Sequence, residues 1–141
     1  MASLVWSDDF ATKVFEIDVQ HKTLFTMVNE LDHAMQHGKG KQLLGKLLSD
    51  LVHYTKSHFE TEERFMREHG YPGYDEHKEK HEKMTRKVLD VQKEFESGNA
   101  HLTLGVMAFL QNWLTEHILK TDLRFGQFLG RKDSPRQAAA A

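Results

Sequence analysis

The sequence predicts an all-α protein: an up-down-up-down antiparallel four-helix bundle with an N-terminal loop arm and a short C-terminal helical segment. Three observations carry this. Four long stretches repeat apolar side chains at helical spacing. The only two prolines, Pro72 and Pro135, interrupt none of them. No run alternates apolar with polar residues as a half-buried strand would. At 141 residues the chain suits one domain, expected over residues 1–131. Residues 132–141, which end in four alanines, are expected to form a flexible tail.

The first helix is expected from about Asp18 to His37. Ile17, His21, Leu24, Val28, Leu31 and Met35 recur there every three or four residues, before Gly38 and Gly40 stop the pattern. The second starts near Gln42 and carries Leu44, Leu48, Leu51, Thr55, His58, Glu62, Phe65 and Met66 along one stripe. It stops where His69, Gly70, Tyr71 and Pro72 break the period. The third, from about Tyr74 to Ser97, turns His77, His81, Met84, Val88, Val91 and Phe95 inward and a dense Lys/Glu face outward, and Gly98 and Asn99 make the next turn. The fourth, from about Leu102 to Thr121, places Leu104, Met107, Leu110, Leu114, His117 and Ile118 inward. A short helical segment through Leu123, Phe125 and Phe128 follows, and everything after Arg131 reads as tail. Short connections make sequential helices antiparallel neighbours. The arm, with Val5, Trp6, Phe10 and Phe15, shows no helical period and is expected to wrap the bundle as an ordered loop.

Composition removes several function classes. A formal net charge of -2 gives no electrostatic case for nucleic acid. With no cysteine, disulfides and thiolate metal sites are impossible, so any metal must rest on imidazole and carboxylate. The N-terminus has neither the basic start nor the apolar run of a secretory signal, and no segment reaches the roughly 18 apolar residues of a membrane span. The expected location is cytoplasmic, and a monomer is the default. Histidine, at 10 residues with no tract among them, is the count that departs from expectation.

Where those histidines fall carries the chemistry. In HFETE, Glu62 follows His58 by four residues, about 400° of helix, so both leave one face a turn apart. HKEKH repeats this spacing with His77 and His81. On charged helices either pair alone arises often. Both, however, lie on the apolar stripe of their helix, where an uncompensated polar group costs several kcal/mol (about 2 to 7). With His21, His117 and Asp122 the inward set is five histidines and two carboxylates. Seven ligands are too many for one tetrahedral zinc and suit two six-coordinate ions sharing carboxylate bridges, with one position vacant. Oxygen-activating bundles pair Glu with Glu-x-x-His, and no such pairing occurs on the inward faces here. The imidazole bias favours binding oxygen over splitting it. His117 and Asp122 do present a geometric conflict: five residues turn an ideal helix to about 140° off alignment, so the fourth helix must distort or the Asp must reach sideways. The remaining histidines, His33, His37, His53, His69 and His101, are expected to face solvent or be satisfied locally.

The set His21, His58-x3-Glu62, His77-x3-His81 and His117-x4-Asp122 resembles the hemerythrin signature, and IDVQHKTLF, HFETEE and WLTEHILKTD around it are similar to bacterial hemerythrins. The likeness spans about Trp6 to Phe128. It implies two non-haem iron ions, one held by His77, His81 and His117 and the other by His21 and His58, bridged by Glu62, Asp122 and an oxo or hydroxo group. It further implies that dioxygen binds reversibly at the two-histidine ion, for transport, storage or delivery to an oxygen-consuming client enzyme. Such a centre needs a dry wall. Leu24, Phe59, Trp113, Leu114 and Ile118 lie within a turn of the ligands, and Leu114, one turn before His117, resembles the family's pocket leucine. The chain reads as a binding protein. The alternatives are a di-iron oxidase, peroxidase or nitric-oxide scavenger using the same cavity, and an oxygen- or redox-sensing module.

Overall fold

The computed structural model describes residues 3–98 and 104–133. Helices α1 (Phe15–Gln36), α2 (Lys41–Glu68), α3 (Tyr74–Glu96) and α4 (Leu104–His117) form the bundle. A π-helical turn over Ile118–Asp122 leads into α5 (Leu123–Asp133). No strand occurs among the described residues. Helix α1 packs against α2 and α4, and α2 against α3. The two described bundle connections are short because each helix ends on a glycine in the left-handed region, Gly38 at φ 65° and Gly70 at φ 64°. Gly38 N–H donates to the Met35 carbonyl and Lys39 N–H to Ala34. Gly70 and Tyr71 repeat the pattern with Arg67 and Met66. These bonds satisfy carbonyls that the helix end would orphan and reverse the chain within a few residues.

Helix α1 starts three residues earlier than its apolar period suggests. The Asp18 carboxylate accepts bonds from Thr12 N–H (2.8 Å), Thr12 Oγ1–H (2.7 Å) and Lys13 N–H (3.1 Å), and Val14 N–H donates to Thr12 Oγ1 (3.1 Å). The chain ahead of the helix is thereby pinned, with Lys13 held at φ 69°, and the first turn forms at Phe15. That residue is 83% exposed and belongs to the helix, so it does not help the arm wrap the bundle, and Val5 is exposed as well. The arm does dock through Trp6 and Phe10, whose rings meet Phe25 edge-on at 5.5 and 5.1 Å, and through paired bonds between Asn29 and the Leu4 backbone. Helix α5 continues two residues past Arg131, into residues expected to be tail. Residues 134–141, with Asn99 and the expected fourth-helix start at Leu102, lie outside the described residues.

Buried apolar side chains form two separate clusters. The larger runs through Leu24, Val28, Leu51, Phe59, Val88, Leu110, Leu114 and Ile118, and the smaller is built on Ile17, Met66, Phe125 and Leu129. Between them every bundle helix contributes polar groups at the same level. His21 falls between Ile17 and Leu24, Glu62 between Phe59 and Met66, and Asp122 between Ile118 and Phe125. The polar layer is therefore sealed by hydrocarbon above and below.

Candidate metal centre

All seven residues singled out from the sequence meet in this layer, and none exceeds 7% exposure. The five imidazoles are delivered by the four helices and present Nε2 to one shared space. Glu62 lies at its centre. Its Oε1 faces His21 (3.3 Å) and contacts His58, while its Oε2 faces His77 (3.3 Å) and His81 (3.7 Å). Asp122 divides the same way. Its Oδ2 faces His21 (2.9 Å), and its Oδ1 faces His77 (2.8 Å) and His117 (3.2 Å).

Two overlapping ligand groups result: Glu62, His77, His81, His117 and Asp122; and His21, His58, Glu62 and Asp122. The donor atoms within each lie within 4.8 Å of one another. The two carboxylates belong to both, each turning one oxygen to either group.

The π turn resolves the conflict between His117 and Asp122. An i→i+5 turn holds one more residue than an α turn, so residues five apart return to one face. His117 and Asp122 both point inward without the carboxylate reaching sideways.

The polar atoms are short of partners. Both Asp122 oxygens, Glu62 Oε2 and His77 Nε2 are buried with no hydrogen-bond partner, although charged or lone-pair neighbours lie within 2.8 to 3.3 Å. His81 and His117 bring Nε2 to Nε2 at 3.1 Å. Seven buried nitrogen and oxygen donors thus crowd one space with few well-formed hydrogen bonds among them, a donor set that suits a divalent transition metal such as iron.

Electrostatics agree. Burial alone would lower the His21 and His77 pKa values, but Asp122 and Glu62 overcome it and hold them at about 10 and about 9. Burial alone would raise both carboxyls. His58, His21 and His77 instead hold Glu62 well below the usual range, and His117 and His21 do so for Asp122 against the added push of Glu62. His81 is pulled down, by burial first and by its imidazole neighbours. Metal-free, the pocket keeps its anions balanced by protons on imidazole, which an incoming cation would displace.

Two residues outside the expected set orient the rings from behind. His58 Nδ1–H donates to Gln20 Oε1 at 2.7 Å, and His81 Nδ1–H donates to Glu63 Oε2 at 3.0 Å. Each fixes the tautomer that leaves Nε2 free toward the centre. The sequence carries only a faint signal for them. Gln20 precedes His21 and Glu63 follows Glu62, so each sits beside a ligand, and a ligating imidazole needs an acceptor for its second nitrogen.

Around the ligands, Phe59 stacks on His81 (3.8 Å, 7°) and Trp113 on His117 (5.5 Å, 19°), which places both against the three-histidine group. Leu24, Leu114 and Trp113, with Val28, Leu51 and Thr55, line a void of about 10 Å³. Thr55 Oγ1–H donates to the Leu51 carbonyl at 2.7 Å, so its hydroxyl hydrogen is already committed. Ile118 is fully buried in the larger cluster. The histidines outside the centre are locally satisfied or exposed: His37 Nδ1 bonds the His33 carbonyl and His53 Nδ1 the Ser49 carbonyl, both at 2.8 Å. His101 lies outside the described residues.

Comparisons with known proteins converge. The family model described as the hemerythrin HHE cation binding domain matches residues 12–129. The chain is 37% identical to the bacteriohemerythrin of Methylococcus capsulatus (strain Bath), over 92% of this chain and 98% of that one. It is 30% identical to a hemerythrin of Sipunculus nudus, over 89% of this chain and 92% of that one. A wild-type hemerythrin crystal structure superposes with a TM-score of 0.84 at 36% identity, covering 89% of this chain and 97% of that one.

Proposed function

The chain belongs to the hemerythrin family, and from that premise we propose that its polar layer holds two iron ions and binds dioxygen reversibly, for storage, transport or delivery. His77, His81 and His117 hold one ion and His21 and His58 the other. Glu62 and Asp122 bridge the pair, with an oxo or hydroxo group completing the bridge. When bound, the ions supply the electrons that dioxygen accepts and returns.

The observation that carries this reading is the asymmetry of the ligand set. Both carboxylates are shared, yet three imidazoles serve one group and two the other, so the open position falls on the two-histidine side. Leu24 and Leu114, each one helical turn from a histidine of the layer, would supply the apolar wall that keeps the centre dry. They line a void of about 10 Å³, the size of a single water, while a stable water needs two to four polar partners that this wall withholds. An apolar diatomic gas suits it better. No helix among the described residues is long and apolar enough to cross a membrane.

An anaerobic-to-aerobic titration of the purified protein, with iron analysis and visible absorption, tests the proposal. The expected result is two non-haem irons per chain and an oxygenated spectrum that reverts on deoxygenation. One metal per chain at full occupancy, or immediate irreversible oxidation, would overturn it.

A further inference from the structure

We propose that the groove between α3 and α4, above His117, docks a small acidic one-electron carrier protein that returns an oxidised centre to its oxygen-binding state; the proposal depends on the di-iron reading for the ions themselves.

The ligand shell comes nearest to solvent here. His117 is 7% exposed, against 0 to 2% for the other four imidazoles. Half-buried Trp113 stacks on its ring and also lines the groove. Around them stand Lys80, Lys83, Lys87 and Lys120 against the single carboxylate Glu116, in a cleft of about 260 Å³. Lys80 and Lys83 reach Glu76 and Glu79 at 3.7 and 3.4 Å. Both are exposed same-helix pairs, weak enough to exchange for a partner's carboxylates.

The neighbouring groove, between α2 and α3 over His81, has the opposite balance. Lys56 and Arg86 face Glu60, Glu63 and Glu82 there. Positive charge is thus concentrated on the side where the ligand edge surfaces, in a chain whose net charge is -2. That arrangement steers a compact acidic protein to one face, while the overall negative charge opposes extended polyanions. Two reduced carriers each give one electron at the Trp113–His117 edge. Two ferric ions become ferrous, and one proton joins the bridging oxygen.

Calorimetric titration of the oxidised iron-loaded protein with an oxidised plant-type [2Fe–2S] ferredoxin at low salt measures docking without turnover, and stopped-flow mixing with the reduced ferredoxin measures reduction. The triple Lys83→Glu, Lys87→Glu, Lys120→Glu is expected to weaken binding and slow reduction by at least about tenfold and to flatten the salt dependence. Iron content and the oxygenated spectrum should be unchanged. The triple Lys39→Glu, Lys46→Glu, Lys93→Glu alters net charge equally and should change each value by less than about twofold. Equal losses in both triples would reduce the effect to net charge and overturn the proposal, as would no binding by the wild type. Co-sedimentation with phosphatidylserine vesicles in place of ferredoxin binding would assign the patch to a lipid surface instead. Failure to find iron would overturn the di-iron reading, a result distinct from loss of docking.

Discussion

At the scale of single residues, Leu114 and the two carboxylates make separable predictions. Leu114 is 2% exposed, lies one helical turn before His117 and lines a small apolar void in the larger cluster, and its side chain has no atom that could coordinate a metal. Leu114→Ala should cost about 2 to 5 kcal/mol of stability and leave iron content near wild type. The oxygenated form, measured at equal iron loading, should autoxidise faster because water gains room; an unchanged lifetime would return Leu114 to ordinary core packing. Glu62 and Asp122 each face both histidine groups, so Glu62→Ala or Asp122→Ala should lose the paired centre. His53→Ala, on an exposed ring bonded to the Ser49 carbonyl, should keep both irons by metal analysis. The convergence of the seven buried polar residues was legible in the sequence because a polar residue on an apolar stripe needs compensation, and the stripe is readable from spacing. Gln20 and Glu63 were not legible, because they lie off the stripe, where glutamine and glutamate are ordinary surface residues until a ring nitrogen is seen to reach them.

At the scale of elements, helix existence followed from period, and the differences fall where a side chain beyond the period decides the outcome. Helix α1 begins at Phe15 because Asp18 caps the arm, a bond that no apolar count contains. The π turn over Ile118–Asp122 was legible only as a conflict: two inward polar groups five positions apart do not fit an α-helix. The resolution needed the backbone. The turn also sets the course of α5, which lies so close to the arm that a Cβ added at Gly126 would come within 2.5 Å of the Thr12 carbonyl oxygen. Backbone cannot yield as a side-chain tip can, so Gly126→Ala is expected to destabilise by about 1 to 3 kcal/mol. Gly130 lies on the same helix with nothing within 4 Å of its added Cβ. Gly130→Ala should therefore stabilise by up to about 1 kcal/mol. Chemical denaturation of the two variants checks the pair, and equal effects of the same sign would show that the arm does not constrain α5.

At the scale of the whole molecule, the bundle is two apolar clusters joined across a charged layer, so its stability is tied to what neutralises that layer. In the metal-free protein the neutralising charges are protons. His21 and His77 rise from 6.5 to about 10 and about 9, so they bind protons more tightly folded than unfolded. Their contribution is complete below about pH 6.5 and is lost as pH climbs through 9 to 10. Glu62 and Asp122 are held below the ordinary carboxylate range, so their contribution is present at neutral pH and lost only on acidification. Iron reverses the first dependence, because metal and proton compete for the same nitrogens and binding tightens as pH rises. A ligand that binds only the folded chain stabilises it in proportion to the logarithm of its affinity. The melting temperature of the stripped protein should thus fall between pH 6.5 and 9 while that of the iron-loaded protein holds, and the gap between them should widen. Differential scanning calorimetry of both forms across that range makes the comparison. A gap that narrows with pH would mean that protons on His21 and His77 do not stand in for the metal.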